Sequence, residues 1–386
     1  ARGSAQGLAA EALAGACART LTLTGTLFGG YSSTLFYLLW RFSPAVRRDF
    51  GYRDESKWIS RYGIIERVLK KNPDAYGDDG RHSKRRSYRA RTIEKPGVSP
   101  SVLFHLIGNT VFLRLADVAT DLPTYTEQVV ICELDRGSDV SSFSQAGCYE
   151  RLARELRQAT VSALAAGSKR LLATYLQTLL AYPDSCTRDT TVLDVMTGGV
   201  IAHAPALTED TLYPKERSLL ELALRERSRR RRLLVYITHT ERRDISPRLQ
   251  SVLKRAGLRV DVLKADTVAP DRREEWLAGR VREGMEVLIC HPRLVQTGLD
   301  LIDWPSICWF ETEYSVYVMR QASRRSWRIG QRQDVEVTHL VYRATLQAEA
   351  LVLMSSKMRS SRAAPSVWSV LCHKPSSVTP RTMNRR

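Results

Sequence analysis

Residues 321–331 read QASRRSWRIGQ, with three arginines and two glutamines in eleven positions. A guanidinium is a planar fork of N–H donors that grips phosphate or carboxylate oxygens two at a time. On a helix turning about 100° per residue, Gln321, Arg325 and Arg328 fall within about 60° of one another while Trp327 points away toward a core. Two chemistries fit this spacing: guanidiniums aimed at a ligand that carries phosphate, or the solvated basic face of a surface helix. No Asp or Glu lies between Glu313 and Asp334. A face of arginines without acidic partners favours an anion supplied from outside.

The surrounding elements must hold that segment. From about 215 to 355, the helix-period stretch LLELALRERS leads to strand-like LLVYITH and then to a helix with Ile245, Leu249, Val252, Leu253 and Ala256 on one face, stopped by Gly257. The strand LRVDVLKA, a helix opened by Asp271, and the strands MEVLICH, SICWFET and VEVTHLVYR follow. Their apolar runs are continuous rather than alternating, which predicts a parallel sheet covered by helices on both faces. Ligands of such sheets sit at the carboxyl ends of the strands, where the arginine segment following SICWFET is expected. Residues 144–182 are helix-periodic, with Leu152, Leu156, Leu172 and Leu176 among the repeats. Residues 81–95, RHSKRRSYRARTIEK, read as an exposed basic loop or inserted arm, and the Ser-, Pro- and Arg-rich tail from Ser356 as disordered.

Composition narrows the partners. The 386 residues, 43% hydrophobic, suffice for two cored domains, and a net charge of +18 points to a polyanion, nucleic acid ahead of anionic lipid. No apolar run is long enough to span a bilayer and no signal pattern opens the chain, so a cytosolic protein without a membrane partner is expected. The seven cysteines contain no C-x-x-C pair and read as buried free thiols; the seven histidines are isolated, so no metal site is expected.

The segment Q-x-x-x-R-x-x-R-I-G-Q resembles the sixth motif of superfamily-two helicases in its Swi/Snf form. Others stand around it in family order: LVQTGLDL (294–301) resembles the fifth motif, LLVYITH the fourth, LTLTGTLFGG (21–30) the third, and FLRLADVATDLPTYTEQVV the link out of the first lobe. Together they cover most of residues 1–355. The resemblance implies an α/β fold of RecA-like lobes, with a partial first lobe and an inserted segment over 1–135. It further implies a helical protrusion and connector over 136–210, a second RecA-like lobe over 211–355, and a tail over 356–386.

It also implies a mechanism. ATP and Mg2+ lie between the lobes, and the second lobe supplies arginine fingers to the transferring phosphoryl group. Arg325 and Arg328 match the two sixth-motif arginines, with Arg328 as the finger; Gln321 and Gln331 order that face. Gly298 and Asp300 match the nucleotide-proximal G-x-N of the fifth motif, Asp adding a charge where the family carries Asn. Thr238, His239 and Thr297 stand where the family touches a DNA backbone phosphate, and they read equally as ordinary polar residues at strand ends. Thr24, Gly25 and Thr26 match third-motif residues that couple the lobes, or a plain turn after a strand.

Neither G-x-x-x-x-G-K-[ST] nor D-E-x-H occurs; GDDGRHSK (77–84) has the wrong spacing and DESK (54–57) the wrong order. The chain alone is therefore expected to hold neither ATP nor Mg2+ stably. The expected partners are double-stranded DNA and the missing N-terminal motor half, in cis or in trans, in a prokaryotic-type cytosol or nucleoid. Opening inside the first lobe, the chain reads as a fragment, a degraded gene or half of a split motor. Two other classes compete: a passive basic nucleic-acid-binding module, and a subunit that completes a split motor. The four arginines 229–232 fit either a duplex backbone or the C-terminus of a helix, where the dipole favours cations.

Overall fold

The computed structural model describes residues 4–24, 27–71, 88–113, 121–137, 143–194, 196–239, 241–295 and 299–357. They fall into two compact units, residues 1–114 with 354–386, and residues 115–353.

The first unit is built from helices α1 (Ala5–Ala16), α2 (Ser32–Phe42), α3 (Pro44–Asp49) and α4 (Glu55–Tyr62), followed by strands β1 (Gly63–Lys71) and β2 (Tyr88–Val98) paired antiparallel. Its core is aromatic: Phe36, Phe50, Trp58 and Tyr62 are buried together, with the Trp58 and Tyr62 ring centres 4.4 Å apart. The Trp58 indole N–H donates to the Ser32 carbonyl (2.9 Å), so the largest core side chain also ties α4 to the start of α2. LTLT, the strand implied by reading Thr24–Thr26 as a turn after a strand, does not form one. Residues 21–24 lie outside any helix or strand, with Leu21 and Leu23 more than four-fifths exposed. Among the described residues this unit has no parallel sheet. Alternating Leu and Thr reads as a strand, but a strand needs a pairing partner, and local sequence does not supply one. Of the basic run 81–95, residues 88–95 belong to β2 and the rest lies outside the described residues.

In chain order the second unit holds β3 (Tyr125–Cys132), α5 (Gln145–Ala165), α6 (Leu171–Ala181), the antiparallel pair β4 (Thr190–Leu193) and β5 (Val200–Ala204), α7 (Pro214–Ser228), β6 (Leu233–Tyr236) and α8 (Ser246–Arg255). It continues with β7 (Val260–Leu263), α9 (Arg273–Arg282), β8 (Val287–Cys290), α10 (Pro292–Val295), β9 (Ser306–Trp309), α11 (Val316–Ser323) and β10 (Val335–Tyr342). Six strands form one sheet in the order β3-β10-β9-β6-β8-β7, every pairing parallel. This is the parallel, helix-flanked α/β architecture expected from the apolar runs.

Every residue of β6, β8 and β9 is buried, as continuous apolar runs in a doubly covered sheet require. On one face Leu219 and Leu222 of α7 and Leu249 and Leu253 of α8 pack on Val235, Ile289 and Cys308. On the other, the Tyr236 hydroxyl donates to the Ala322 carbonyl (3.2 Å) and the Trp309 indole N–H to the Ser323 hydroxyl (3.0 Å), which ties α11 to the sheet. YTEQVVIC, read from sequence within the link out of a first lobe, is the edge strand β3 of this sheet, in register with β10 from Tyr125–Val335 to Cys132–Tyr342. An edge strand carries a weaker apolar pattern than a central one, and nothing local says which sheet it joins. Among the described residues no helix is long and apolar enough to cross a membrane.

Candidate functional site

Arginine placement is the first difference from the sequence reading. Because β9 and β10 are parallel, the connection between them must return across the sheet, and α11 does so. Residues 324–334 therefore lie at the amino ends of the strands, not the carboxyl ends. The Val335 N–H donates to the Thr124 carbonyl (2.8 Å), and the Thr124 N–H to Asp334 Oδ1 (2.9 Å). The helix also stops earlier than the arginine spacing assumes. It ends at Ser323, where the Ala322 carbonyl accepts the Tyr236 hydroxyl and the Ser323 side chain accepts Trp309. Arg325 and Arg328 thus sit in a loop, and the helical-wheel geometry does not describe them.

That loop is held by its second glutamine. Gln331 is buried, and its amide donates to the carbonyls of Ile302 and Ser326 (both 2.9 Å) while its side-chain oxygen accepts the N–H groups of Arg332 and Gln333 (both 2.9 Å). Gly330 turns the chain at φ 98°, a conformation open to glycine and strained for other residues. Trp327 donates its indole N–H to the Pro123 carbonyl (2.7 Å) and lies against Tyr125, and the Arg324 guanidinium rests over both rings.

Arg325 donates to the Leu299 carbonyl (3.3 Å), and burial lowers its pKa from the usual arginine value, opposed by neighbouring Tyr236. Arg328 is ion-paired with Asp300, both side chains well exposed at 42% and 59%. The expected absence of acidic partners therefore fails. Topology brings the loop before β9 against the loop before β10, a contact no inspection of residues 313–334 reveals. Gln321 is half-buried on α11. Thr24 is exposed in the first unit, whereas Gly25, Thr26, Thr297 and Gly298 lie outside the described residues.

Arginines 229–232 are mostly engaged at the C-terminus of α7. Arg229 and Arg231 share Glu226 and Glu336, at 2.6–3.2 Å, and Arg232 donates to the Met285 carbonyl (3.1 Å). Arg230 is exposed at φ 57°. This is the helix-end reading of the run rather than a free basic track.

Thr238 and His239 lie across the sheet from the arginines, at the carboxyl end of β6, beside a cleft of about 350 Å³ that Asp184, His291, Arg293, Glu311 and Glu313 also line. Glu311, two residues past β9 and 3% exposed, takes their donors. Its Oε2 accepts the N–H groups of Thr238 (2.6 Å) and His239 (2.7 Å) and the Thr238 hydroxyl (3.3 Å), and its Oε1 lies 3.0 Å from His239 Nδ1. Burial disfavours both charges, yet these bonds outweigh it. The Glu311 pKa is lowered and that of His239 raised.

Behind the cleft the fully buried Lys215 of α7 reaches Asp184 (2.9 Å), the Phe310 carbonyl (2.5 Å) and Gln347 (3.2 Å), and Gln347 in turn donates to Asp184 (2.7 Å). Burial pushes the Asp184 carboxyl upward, with Lys215 pulling the other way. Sequence reading misses both Glu311 and Lys215. Glu311 stands in plain view after SICWF, whereas Lys215 resembles any charged residue in the first turn of a helix. Among the described residues no group of three or more His, Cys, Asp or Glu side chains is placed to hold a metal ion.

No family model matches the chain, and no curated protein does. Among solved structures it is similar to the crystal structure of the C-terminal part of Fun30 ATPase domain, at 15% identity and a TM-score of 0.45, over 64% of this chain and 99% of that one. A likeness of that depth assigns no activity.

Proposed function

We propose that the chain is the C-terminal part of a DNA-dependent ATPase of Swi/Snf-like type. Its second unit presents Arg325 and Arg328 to the phosphates of ATP, and its basic surface meets duplex DNA without reading sequence. The observation that carries this reading is the loop 324–331: pinned by Gln331, it rests one guanidinium on a carbonyl and holds the other against a single exposed carboxylate. An exposed ion pair contributes about 0–1 kcal/mol, so a multiply charged phosphate displaces Asp300 at little cost. Arg328 is held in place yet free to exchange its partner. The order of the sequence motifs supports the same reading, as does a +18 net charge for DNA. The phosphate-gripping loop and the Mg2+-holding carboxylates belong to another part of the motor, in cis or in trans.

The test joins this chain to an N-terminal half carrying G-x-x-x-x-G-K-[ST] and D-E-x-H and measures DNA-stimulated ATP turnover. Arg328→Ala should cut turnover by about a thousandfold, the scale of a lost arginine finger. Lysine should not restore it, because an ammonium lacks the planar fork. Arg324→Ala, whose guanidinium lies over Trp327 and Tyr125, should leave turnover within a few fold. If the two alanine variants cost the same, and cost mainly DNA affinity, the segment is a basic surface and the passive binding module takes the place of the motor.

A further inference from the structure

The donors at the end of β6 form a concavity. Two successive backbone N–H groups, those of Thr238 and His239, point at one oxygen at 2.6 and 2.7 Å, with the Thr238 hydroxyl on the same atom and the His239 ring on its neighbour. Successive N–H groups aimed at one point make an anion-binding nest. This nest stands at the carboxyl end of a central parallel strand, where ligands of such sheets sit. Its occupant is an internal carboxylate. We propose that Glu311 fills a phosphate subsite from within, and holds the Thr238 and His239 donors closed against a DNA backbone phosphate until it is withdrawn. This rests on the duplex-DNA reading above and gives it a regulatory element.

Tethered two residues past β9, the carboxylate competes at a fixed, high effective concentration, and its burial keeps water from competing. Thr238 and His239 are both partly exposed and line the cleft, so a phosphate reaching it meets the donors as soon as Glu311 leaves. In the closed state these two residues contribute nothing to DNA affinity. Once open, they add one phosphate contact.

Full-length Glu311→Ala and Glu311→Gln are compared with wild type for binding a fluorescent duplex across a salt series, with circular dichroism and melting to establish the fold. Glu311→Gln preserves side-chain shape and carries the test if the alanine variant does not fold. Glu311→Ala should bind on the order of tenfold tighter, with a salt slope steeper by about one phosphate; Glu311→Gln, whose neutral amide oxygen is a weaker acceptor for the same N–H groups, should shift binding in the same direction by less, and adding His239→Ala should take part of the gain back. Glu313→Gln removes an equal charge from the same cleft without freeing the nest, and should give much less. If it gives as much, or if the Glu311 variants bind no tighter than a wild type that itself binds duplex, the inference is overturned. A second arm separates this failure from that of the DNA reading. If no form binds duplex, inorganic phosphate should still raise the melting temperature of the Glu311 variants and not of wild type; equal response in all forms overturns the subsite as well.

Discussion

At the amino ends of β9 and β10 the Arg328–Asp300 pair faces solvent, whereas at the carboxyl end of β9 the Lys215–Asp184 pair is sealed inside. Arg328 and Asp300 meet as an exposed pair; Lys215 and Asp184 meet with about 1% of either side chain exposed. The same attraction has different consequences in the two places. In water it is offset by solvation and side-chain entropy, and the pair is easily exchanged for another partner. In the interior, removing one member strands the other, so the arrangement is fixed by the cost of disrupting it. Arg328 can therefore change partners at little cost, Lys215 and Asp184 hold strand ends in place, and the buried Glu311 gives up its donors only where another anion takes them over.

The largest expected effect tests the buried side. Lys215→Met leaves the Asp184 carboxyl without its ammonium and the Phe310 carbonyl without a donor, and should cost about 3–5 kcal/mol in chemical denaturation. The double variant Lys215→Met/Asp184→Leu should recover most of that, since two matched apolar groups leave no buried charge. A single-variant cost under about 1 kcal/mol would mean that water reaches the pair and that the two ends do not differ.

The contrast also explains what can be read from sequence. The strands LLVY, VLIC and SICW announce themselves because a doubly covered strand must be apolar at every position, a constraint that is entirely local. The amphipathic helices on the sheet follow from the same logic. The end of α11 does not, because Ser-Arg-Arg-Ser continues a helix as well as it ends one, and the decision comes from Tyr236 and Trp309 on other elements. The Arg328–Asp300 pair is hidden for a related reason: its members are 28 residues apart and meet only because two loops leave the same edge of the sheet. Conversely, Thr238 and His239 are legible as a polar strand end, but their donors are spent on Glu311, which lies 72 residues on from His239. Motif spacing places a residue on the sheet; which group takes its hydrogen bonds is a property of the assembled fold.

An intermediate effect comes from the His239–Glu311 pair. His239 is raised, so its contribution to stability is fully present below the unfolded imidazole value of about 6.5 and is lost as pH rises through the raised folded value. Glu311 is lowered, so its contribution is present above the unfolded carboxyl value of about 4.3 and is lost as pH falls through the lowered folded value. Together they predict strongest pairing between about pH 4.3 and 6.5. His291 in the same cleft is pushed down by burial and contributes with the opposite slope, so the comparison must be a difference. Wild type minus His239→Gln, measured by denaturation across pH 4 to 9, should show an advantage that shrinks on the alkaline side. A difference flat in pH would mean that the imidazole stays neutral against Glu311.

The smallest effect on stability, and the sharpest on the comparison, is expected from Asp300→Asn. Asp300 and Arg328 are exposed, so removing the charge should change stability by less than about 1 kcal/mol. If Arg328 meets ATP as proposed, function should respond differently, because the same substitution removes the internal competitor for the Arg328 guanidinium. In the rejoined motor Asp300→Asn should lower the KM for ATP with little change in kcat, since it frees the arginine to meet the bound nucleotide and does not alter the transition state it stabilises. Asp300→Ala should do the same if the pair is only a resting place. Should either substitution instead abolish turnover as Arg328→Ala does, Asp300 would be a positioning residue that aims the guanidinium. The exposed end of the sheet would then be as fixed in its contacts as the buried one.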